Sequence, residues 1–435
     1  MALERAPVTP VPRGRVFSGR VAPPPSKSVT NRYLNLALLA QRPVTIECPL
    51  ESADIQAFLT ALPALGMEVT ASGEGSARAI RLAPRPHTGS AQVDCAASGT
   101  MARFLTAALT TRPGTWYLDG TARLRDRPLG ALLAALRRLG GDICELGHPG
   151  HLPLEIHGGE LEGGVLTVDA SESSQYLSAL LMAATRAASE VEIEVSTLVS
   201  GPYVAVTREA VRAFGGRIER REEGRYRVVP GLPGRDRLRV EADWSAACYL
   251  AAAATLTGGP VTLTGLDSAS AQADRAFLEL LIAMGAEAVW SADGALVVSR
   301  SQELEGIDAD LGDLPDQAPT LAAVAPFARG VTVIRNVGHL RLKESDRLSA
   351  VCTELRRCGV PAAVEGDSLR VPGVWAQAAP STEEVTIDTH DDHRIAMSFA
   401  VLGSRRPGLL IDRPDVVDKS YPGFWRDFGS CRHDG

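Results

Sequence analysis

The sequence predicts an α/β protein of two domains, each built from three copies of one unit of strands and helices. Two observations carry this. Glycines that close a helix-like apolar stretch recur at positions 66, 140, 215, 285, 359 and 429, at intervals of 74, 75, 70, 74 and 70 residues. Each is preceded by a strand-like run and, further upstream, by another helix rich in Ala and Leu. A chain of 435 residues also exceeds one ordinary core.

Taken in order, the unit starts with the Ala- and Leu-rich helix. Its six versions are NRYLNLALLA, ARFLTAALTT, QYLSALLMAAT, AACYLAAAATLT, PTLAAVAPFA and RIAMSFAVLG. Small and apolar residues surround them on every side, which predicts burial. Next come VTIECPL, TWYLDG, VEIEVS, VTLTGL, VTVIRNV and LLIDRP, whose alternation and β-branching predict strands. A second helix follows and ends at the repeating glycine, which suits a left-handed C-cap. Short β-like stretches such as MEV, GDI and GRI follow the first five glycines; the sixth lies at the C-terminus and lacks one. Six units divide most simply into two domains of three. The first spans 21–240, the second 1–20 with 241–435, and hinge strands lie near 18–22 (FSGRVAPP) and 238–243 (RLRVEAD).

Composition excludes several classes. A net charge of −7 argues against general nucleic-acid binding. No apolar run reaches the ~18 residues of a membrane span. The opening MALERAPVTPVPRGRVF has no apolar leader core, so a cytoplasmic location is expected. Seven cysteines are scattered without a CxxC pair, which predicts reduced thiols and no zinc site. No histidine pattern suggests a metal.

Of the 45 basic residues only Lys27, Lys343 and Lys419 are lysine. A genome favouring arginine codons explains the bias. A lysine that persists against it marks a place where a compact, strongly hydrated ammonium is needed.

All six Ala- and Leu-rich helices open on polar residues: Ser26 to Ser28, Ser98 to Thr100, Ser173 to Gln175, Asp243 to Ser245, Asp316 with Gln317, and Asp391 to Arg394. Simple capping accounts for each one. Helix N-termini also present free N–H groups and partial positive charge to an anion, and several carry extra cations. Lys27, Ser28 and Arg32 converge at one such end, Arg32 lying one turn after Ser28. Lys343 and Arg347 are likewise four apart, with Glu344 and Asp346 between, a pattern that a solvated helix face also produces.

Nine segments together resemble the 5-enolpyruvylshikimate-3-phosphate synthases: SKSVTNR, SGTMAR, RLRDRPL, SSQYLSALLM, LVSGPY, LPDQAPT, LRLKESDRL, DDHRIAM and VDKSYP. They lie in order over nearly the whole chain and contain all three lysines. The resemblance implies the enolpyruvyl transferase fold, each domain of three βαβαββ repeats with helix N-termini facing the interdomain cleft. It also implies a monomer that needs no cofactor or metal and takes phosphoenolpyruvate and shikimate 3-phosphate. By that resemblance phosphoenolpyruvate meets Lys27, Gly99, Arg127, Gln175, Arg347, Arg394 and Lys419. Shikimate 3-phosphate meets Lys27, Ser28, Arg32, Ser173, Ser174, Gln175, Ser200, Tyr203, Asp316, His339 and Lys343. Asp316, shared with Lys27, is the expected base for the attacking hydroxyl, Glu344 the proton-transfer group at C3, and Lys419 an aid to phosphate departure. A carboxylate among many cations favours a base over an acid, which weighs against Glu344 as acid.

The chain departs from the common pattern at Ala97, Phe104, His339 and the PPP before SKS, while Gly99, and with it the expected inhibition by glyphosate, is kept. Two other readings compete. A UDP-N-acetylglucosamine 1-carboxyvinyltransferase shares fold and donor but usually carries a reactive cysteine in the loop that reads GTARLRDRP here. A non-catalytic anion-binding protein predicts lost charges, yet all nine charged positions of interest are present.

Overall fold

The computed structural model describes residues 8–10, 16–40, 42–86, 89–222 and 224–433. Residues 1–7 and 11–15 of the sequence-assigned second domain, which include most of the segment read as lacking a leader, lie outside the described residues. The chain forms two compact units, one of Pro25–Glu241 and one of Met1–Pro24 with Ala242–Gly435. No helix among the described residues is long and apolar enough to cross a membrane.

The unit of Pro25–Glu241 contains three four-stranded sheets of identical plan. In each, an edge strand runs parallel to a second strand, which pairs antiparallel with a third, which pairs antiparallel with a fourth. The sheets are Arg237–Arg239, Val44–Glu47, Ala79–Pro84 and Met67–Ser72; Ser90–Asp94, Gly114–Asp119, Leu154–Gly158 and Asp142–Glu145; and Gly164–Ala170, Val191–Leu198, Arg225–Val229 and Arg217–Glu222.

The other unit repeats this plan twice. One sheet is Gly19–Val21, Val261–Leu263, Leu296–Ser299 and Glu287–Trp290. The next is Asp308–Asp310, Val331–Arg335, Ser368–Pro372 and Ala363–Glu365. Its third sheet is incomplete: Val385–Ile387 runs parallel to Leu409–Asp412, and the antiparallel partner is Val8–Pro10 from the start of the chain.

Six helices form the interiors: α1 (Lys27–Leu39), α2 (Gly99–Thr110) and α3 (Ser174–Ala183) in one unit, α4 (Trp244–Thr257), α5 (Ala318–Val324) and α6 (His393–Gly403) in the other. Helix α2 packs against α1 and α3, and α4, α5 and α6 pack against one another. Their Ala, Leu and Met side chains let helices be enclosed on all sides, each fully buried Leu contributing roughly 1.5–3 kcal/mol. α5 and α6 are buried throughout. In the other four, the only residues left accessible are Lys27, Ser28, Thr100, Gln175 and Ser245 in the first turns, together with Tyr33 and Thr257. In those four helices the apolar pattern thus leaves mostly the opening turn accessible.

The repeating glycines behave as expected five times. Gly66, Gly140, Gly215, Gly285 and Gly359 all have φ between 79° and 114°. The sixth differs from the sequence reading. Gly429 lies inside the helix Phe424–Ser430 and is absent from the left-handed set. The last helix needs no tight reversal, because the chain continues into a two-residue strand, Arg432–His433, that pairs antiparallel with Val16–Phe17. A strand therefore does follow the sixth helix, contrary to expectation, but it joins a different sheet.

A Cβ added at Gly359 or at Gly429 meets nothing within 4 Å, so backbone conformation alone separates the two sites. Gly359→Ala is expected to destabilise by about 1 kcal/mol, and Gly429→Ala to be neutral or stabilising by up to ~1 kcal/mol. Urea denaturation of both variants checks this.

Candidate active site

Many of the candidate side chains stand at or beside the first turn of a buried helix, and at four of the six helix entries a recurring turn puts them there. Asp94, Asp169, Asp310 and Asp388 each accept a hydrogen bond from the backbone N–H two residues on, at 2.8, 2.9, 2.9 and 2.7 Å. Each lies at, or within one residue of, the end of the parallel edge strand of its sheet. Five residues later comes the first residue of α2, α3, the turn Pro315–Gln317 before α5, or α6. The side chain imitates a backbone turn and aims the chain into the next helix. This fixed spacing of five was readable in the sequence and was missed.

Capping proves to be the role of five of the six polar openings. Ser26, Ser98, Ser173, Asp243 and Asp392 accept from N–H groups of Val29, Met101, Gln175, Ala246 and Arg394. Asp316 does not cap. α5 has no side-chain cap, and the Asp316 carboxylate turns instead to two guanidinium groups. Its Oδ1 accepts from Arg347 Nη1 at 3.0 Å and its Oδ2 from Arg394 Nη2 at 2.7 Å. Burial pushes this carboxyl up, but Arg394, Lys343 and Arg347 together outweigh burial and hold it far below the usual carboxylate range.

Arg347 is the centre of this group. It is 1 % exposed and also donates to Glu344 at 2.8 Å and to Asp392 at 2.8 and 3.2 Å. Burial alone would loosen its proton; Asp392, Glu344 and Asp316 reverse that and fix the positive charge. Lys419 Nζ lies 3.5 Å from the other oxygen of Glu344. Arg394 Nη1 donates to Ser245 Oγ at 2.7 Å and to the Tyr249 hydroxyl at 3.1 Å. Behind it, Gln317 donates to Ser245 at 3.0 Å and to buried Asp274 at 2.6 Å. His339 adjoins the same charges: burial first, then Lys343, pushes it down to about 4, and its buried Nε2 has no hydrogen-bond partner. Asp316, His339, Lys343, Glu344, Arg347, Arg394 and Lys419 are thus brought together as the sequence suggested. Asp392, Ser245 and Gln317, read in the sequence only as polar helix openings, join them, and Tyr249 and Asp274 join them unannounced.

In the other unit the predicted residues form two groups. Gly99 faces Arg127 so closely that a Cβ would lie 2.5 Å from its Nη1. Gln175 is held by Arg103 at 2.9 Å and Thr100 at 3.1 Å, beside Ser173 and Ser174. Arg103 and the Tyr176 hydroxyl also hold the carbonyl of Pro128, the residue after Arg127, at 3.5 and 2.6 Å. The second group contains Lys27, 3.3 Å from Asp54. Arg32 turns inward: its Nε donates to Thr207, Nη1 to the Ser28 carbonyl and Nη2 to the Tyr203 carbonyl, at 2.8, 2.9 and 3.1 Å. Burial brings it down to about 10, so it remains charged at neutral pH. The expectation that Arg32 presents a charge alongside Ser28 is qualified accordingly, because each of its three nitrogens already has a protein partner. Ser200 adopts φ 51°, and its buried Oγ has no partner. Asp54 and Thr207 carried no sequence signal, since each acts on a residue distant in the chain; Arg103 and Tyr176 lie inside the segments SGTMAR and SSQYLSALLM but were given no role there.

Each unit's arrangement suits anions: cations oriented by carboxylates in one unit and largely by neutral oxygens in the other, next to first-turn N–H groups. The family model for EPSP synthase (3-phosphoshikimate 1-carboxyvinyltransferase) matches residues 12–428. A 3-phosphoshikimate 1-carboxyvinyltransferase of Syntrophobacter fumaroxidans is 43% identical over 416 residues, covering 95% of this chain and 96% of that one. That of Methanoculleus marisnigri is 42% identical over 404 residues, covering 92% and 94%. A solved EPSP synthase from Acinetobacter baumannii superposes with a TM-score of 0.79 at 26% identity over 98% of both chains. The enolpyruvyl transferase NikO from Streptomyces tendae shares the fold at the same TM-score and 18% identity.

The low value for His339 gives a pH signature. The fold accommodates its neutral ring, so the unfolded chain binds the extra proton between pH 6.5 and about 4. Stability carried by the neutral ring is complete above pH 6.5 and falls as pH drops through that window. Melting temperature against pH is expected to decline less steeply there in His339→Asn. The slope below pH 4, where Asp316 and other carboxylates titrate, should persist.

Proposed function

The chain belongs to the EPSP synthase family, and from that premise we propose how its residues divide the reaction. The enzyme transfers the enolpyruvyl group of phosphoenolpyruvate to the 5-hydroxyl of shikimate 3-phosphate, releasing phosphate, as a transferase of the shikimate pathway.

Both substrates bring a phosphate and a carboxylate. Arg347, Arg394 and Lys419, with Lys27, Arg127, Gln175 and the Gly99 backbone, take those of phosphoenolpyruvate. Shikimate 3-phosphate takes Lys27, Ser28, Arg32, Ser173, Ser174, Gln175, Ser200 and Tyr203, together with Asp316, His339 and Lys343. Arginine forks match planar or tetrahedral oxyanions, and their fixed charge lowers the penalty of gathering several anions at once.

Asp316 is the base. The observation that supports it is its clamp between two guanidinium groups, which keeps the carboxylate ionised and orients both oxygens. When substrate anions engage Arg347 and Arg394, one Asp316 oxygen is released to take the hydroxyl proton. In the addition step the hydroxyl oxygen bonds to C2 of phosphoenolpyruvate while C3 gains a proton. In the elimination step C3 loses a proton, the C2–O bond to phosphate breaks and the double bond returns. Glu344, touching Arg347 and 3.5 Å from Lys419, handles the proton at C3. The Lys419 ammonium supports the departing phosphate, since an ammonium can pass on a proton where a guanidinium cannot. The proposal extends to a monomeric, cytoplasmic enzyme that works without metal or cofactor and is inhibited by glyphosate.

Phosphate release with phosphoenolpyruvate should require shikimate 3-phosphate and fail with UDP-N-acetylglucosamine; turnover with the latter alone overturns the reading. Asp316→Asn is expected to lower kcat by about 10²–10⁴-fold, the usual range for a lost general base. A separate variant tests the donor site. In Gly99→Ala the Arg127 head must move aside, and because it is the end of a flexible side chain, folding should be little affected. The KM for phosphoenolpyruvate is expected to rise about tenfold or more, the effect of weakening one charged hydrogen bond, with the melting temperature nearly unchanged.

A further inference from the structure

We propose that Glu354 and His390 form a latch that positions Arg347 and Arg394 for phosphoenolpyruvate, an inference that rests on the donor-site reading above. Neither residue belongs to the group around Asp316, and neither was singled out by the sequence.

Glu354 is on the helix Arg347–Arg357, seven residues and so two turns after Arg347 on the same face. Its side chain is only 2 % exposed, and a buried carboxylate persists where it is well bonded. It has three donors. Arg357 Nη1 reaches Oε2 at 2.7 Å, and the backbone N–H of Asp388 reaches the same oxygen at 3.2 Å. His390 Nε2 lies 3.3 Å from Oε1. Two of the three come from one short loop, 388–392. One helix therefore grips this loop at both ends: through Glu354 at Asp388 and His390, and through Arg347 at Asp392.

The loop needs such a grip. His390 and Asp391 are consecutive non-glycine residues at φ 52° and 56°. Left-handed backbone at ordinary residues is unfavourable and persists only where the surroundings impose it. Arg413 imposes it from the other side, bonded to Asp391 and 3.5 Å from Asp388. What the loop delivers is Asp392, which is fully buried. Its Oδ2 takes Arg347 Nε at 2.8 Å, and its Oδ1 takes Arg347 Nη2 at 3.2 Å and the backbone N–H of Arg394 at 2.9 Å. A shift of this loop moves both arginines together. Glu354 and His390 are positioning residues acting on the donor site through Asp392.

The test compares steady-state kinetics of Glu354→Gln, His390→Ala and Arg394→Lys with the parent enzyme, each checked for a folded-state melting transition. Expected is a rise of about tenfold in KM for phosphoenolpyruvate in Glu354→Gln and His390→Ala, in line with couplings through a positioned network. The KM for shikimate 3-phosphate should stay within about twofold. His390→Gln, whose amide can still donate to Glu354, should recover most of the lost affinity, which a general loss of stability would not permit. If Glu354→Gln does not fold, the histidine pair decides the matter, since His390 is partly exposed. An unchanged donor KM in His390→Ala, alongside a raised one in Arg394→Lys, overturns the latch and leaves the donor-site reading intact. An unchanged donor KM in Arg394→Lys overturns the donor-site reading and the latch with it.

Discussion

A guanidinium buried in protein must be matched by negative charge or it drives the structure apart. Arg347, 1 % exposed, is matched by Asp316, Glu344 and Asp392, which come from three separate stretches of chain. Those three contacts fix the beginning of the helix Arg347–Arg357, the turn before α5 and the entry to α6 relative to one another. Most other features of this unit's site follow from that. Arg394 is oriented because Asp392 caps its helix and Asp316 receives its fork. Lys419 is drawn in because Glu344 has an oxygen facing away from Arg347.

The repeat explains why such charges can be packed so densely without unfolding the protein. Each unit encloses its Ala- and Leu-rich helices and leaves little but their first turns accessible. The aspartate that turns each parallel edge strand toward its helix reproduces the same entry at four places. Polar residues at the helix openings then lie where backbone N–H groups already favour anions. The apolar remainder supplies the stability that a cluster of four cations and three carboxylates (Lys343, Arg347, Arg394, Lys419; Asp316, Glu344, Asp392) does not.

The two units show two ways of holding a cation ready. Arg103, Arg32 and Arg347 are buried and bonded on several nitrogens, so they act as rigid fixtures. Lys27 and Lys419 lie 3.3 and 3.5 Å from the carboxylates of Asp54 and Glu344, longer and more easily exchanged contacts. That division matches the chemistry of the two side chains: the arginine fork rewards fixed geometry, while the ammonium can turn toward a ligand and pass on a proton.

The sequence by itself determined the six-unit α/β plan, the buried helices, the strands and most of the charged residues proposed above to serve the reaction. All of these follow from periodicity, capping chemistry and short motifs, which act over a few neighbouring residues. It could not determine which polar helix opening would cap and which would turn away: Asp316 looked like the other five and is the exception. Nor did it expose the partners of Asp54, Arg103, Thr207, Asp392 or Glu354, which lie between 27 and 175 positions away, or show that Gly429 would sit inside its helix. Side-chain pairing over such distances depends on how helices and turns pack. Burial then decides whether a charge is exposed to solvent, as the pattern around Lys343 would permit, or forced into a partnership that sets its protonation and its use.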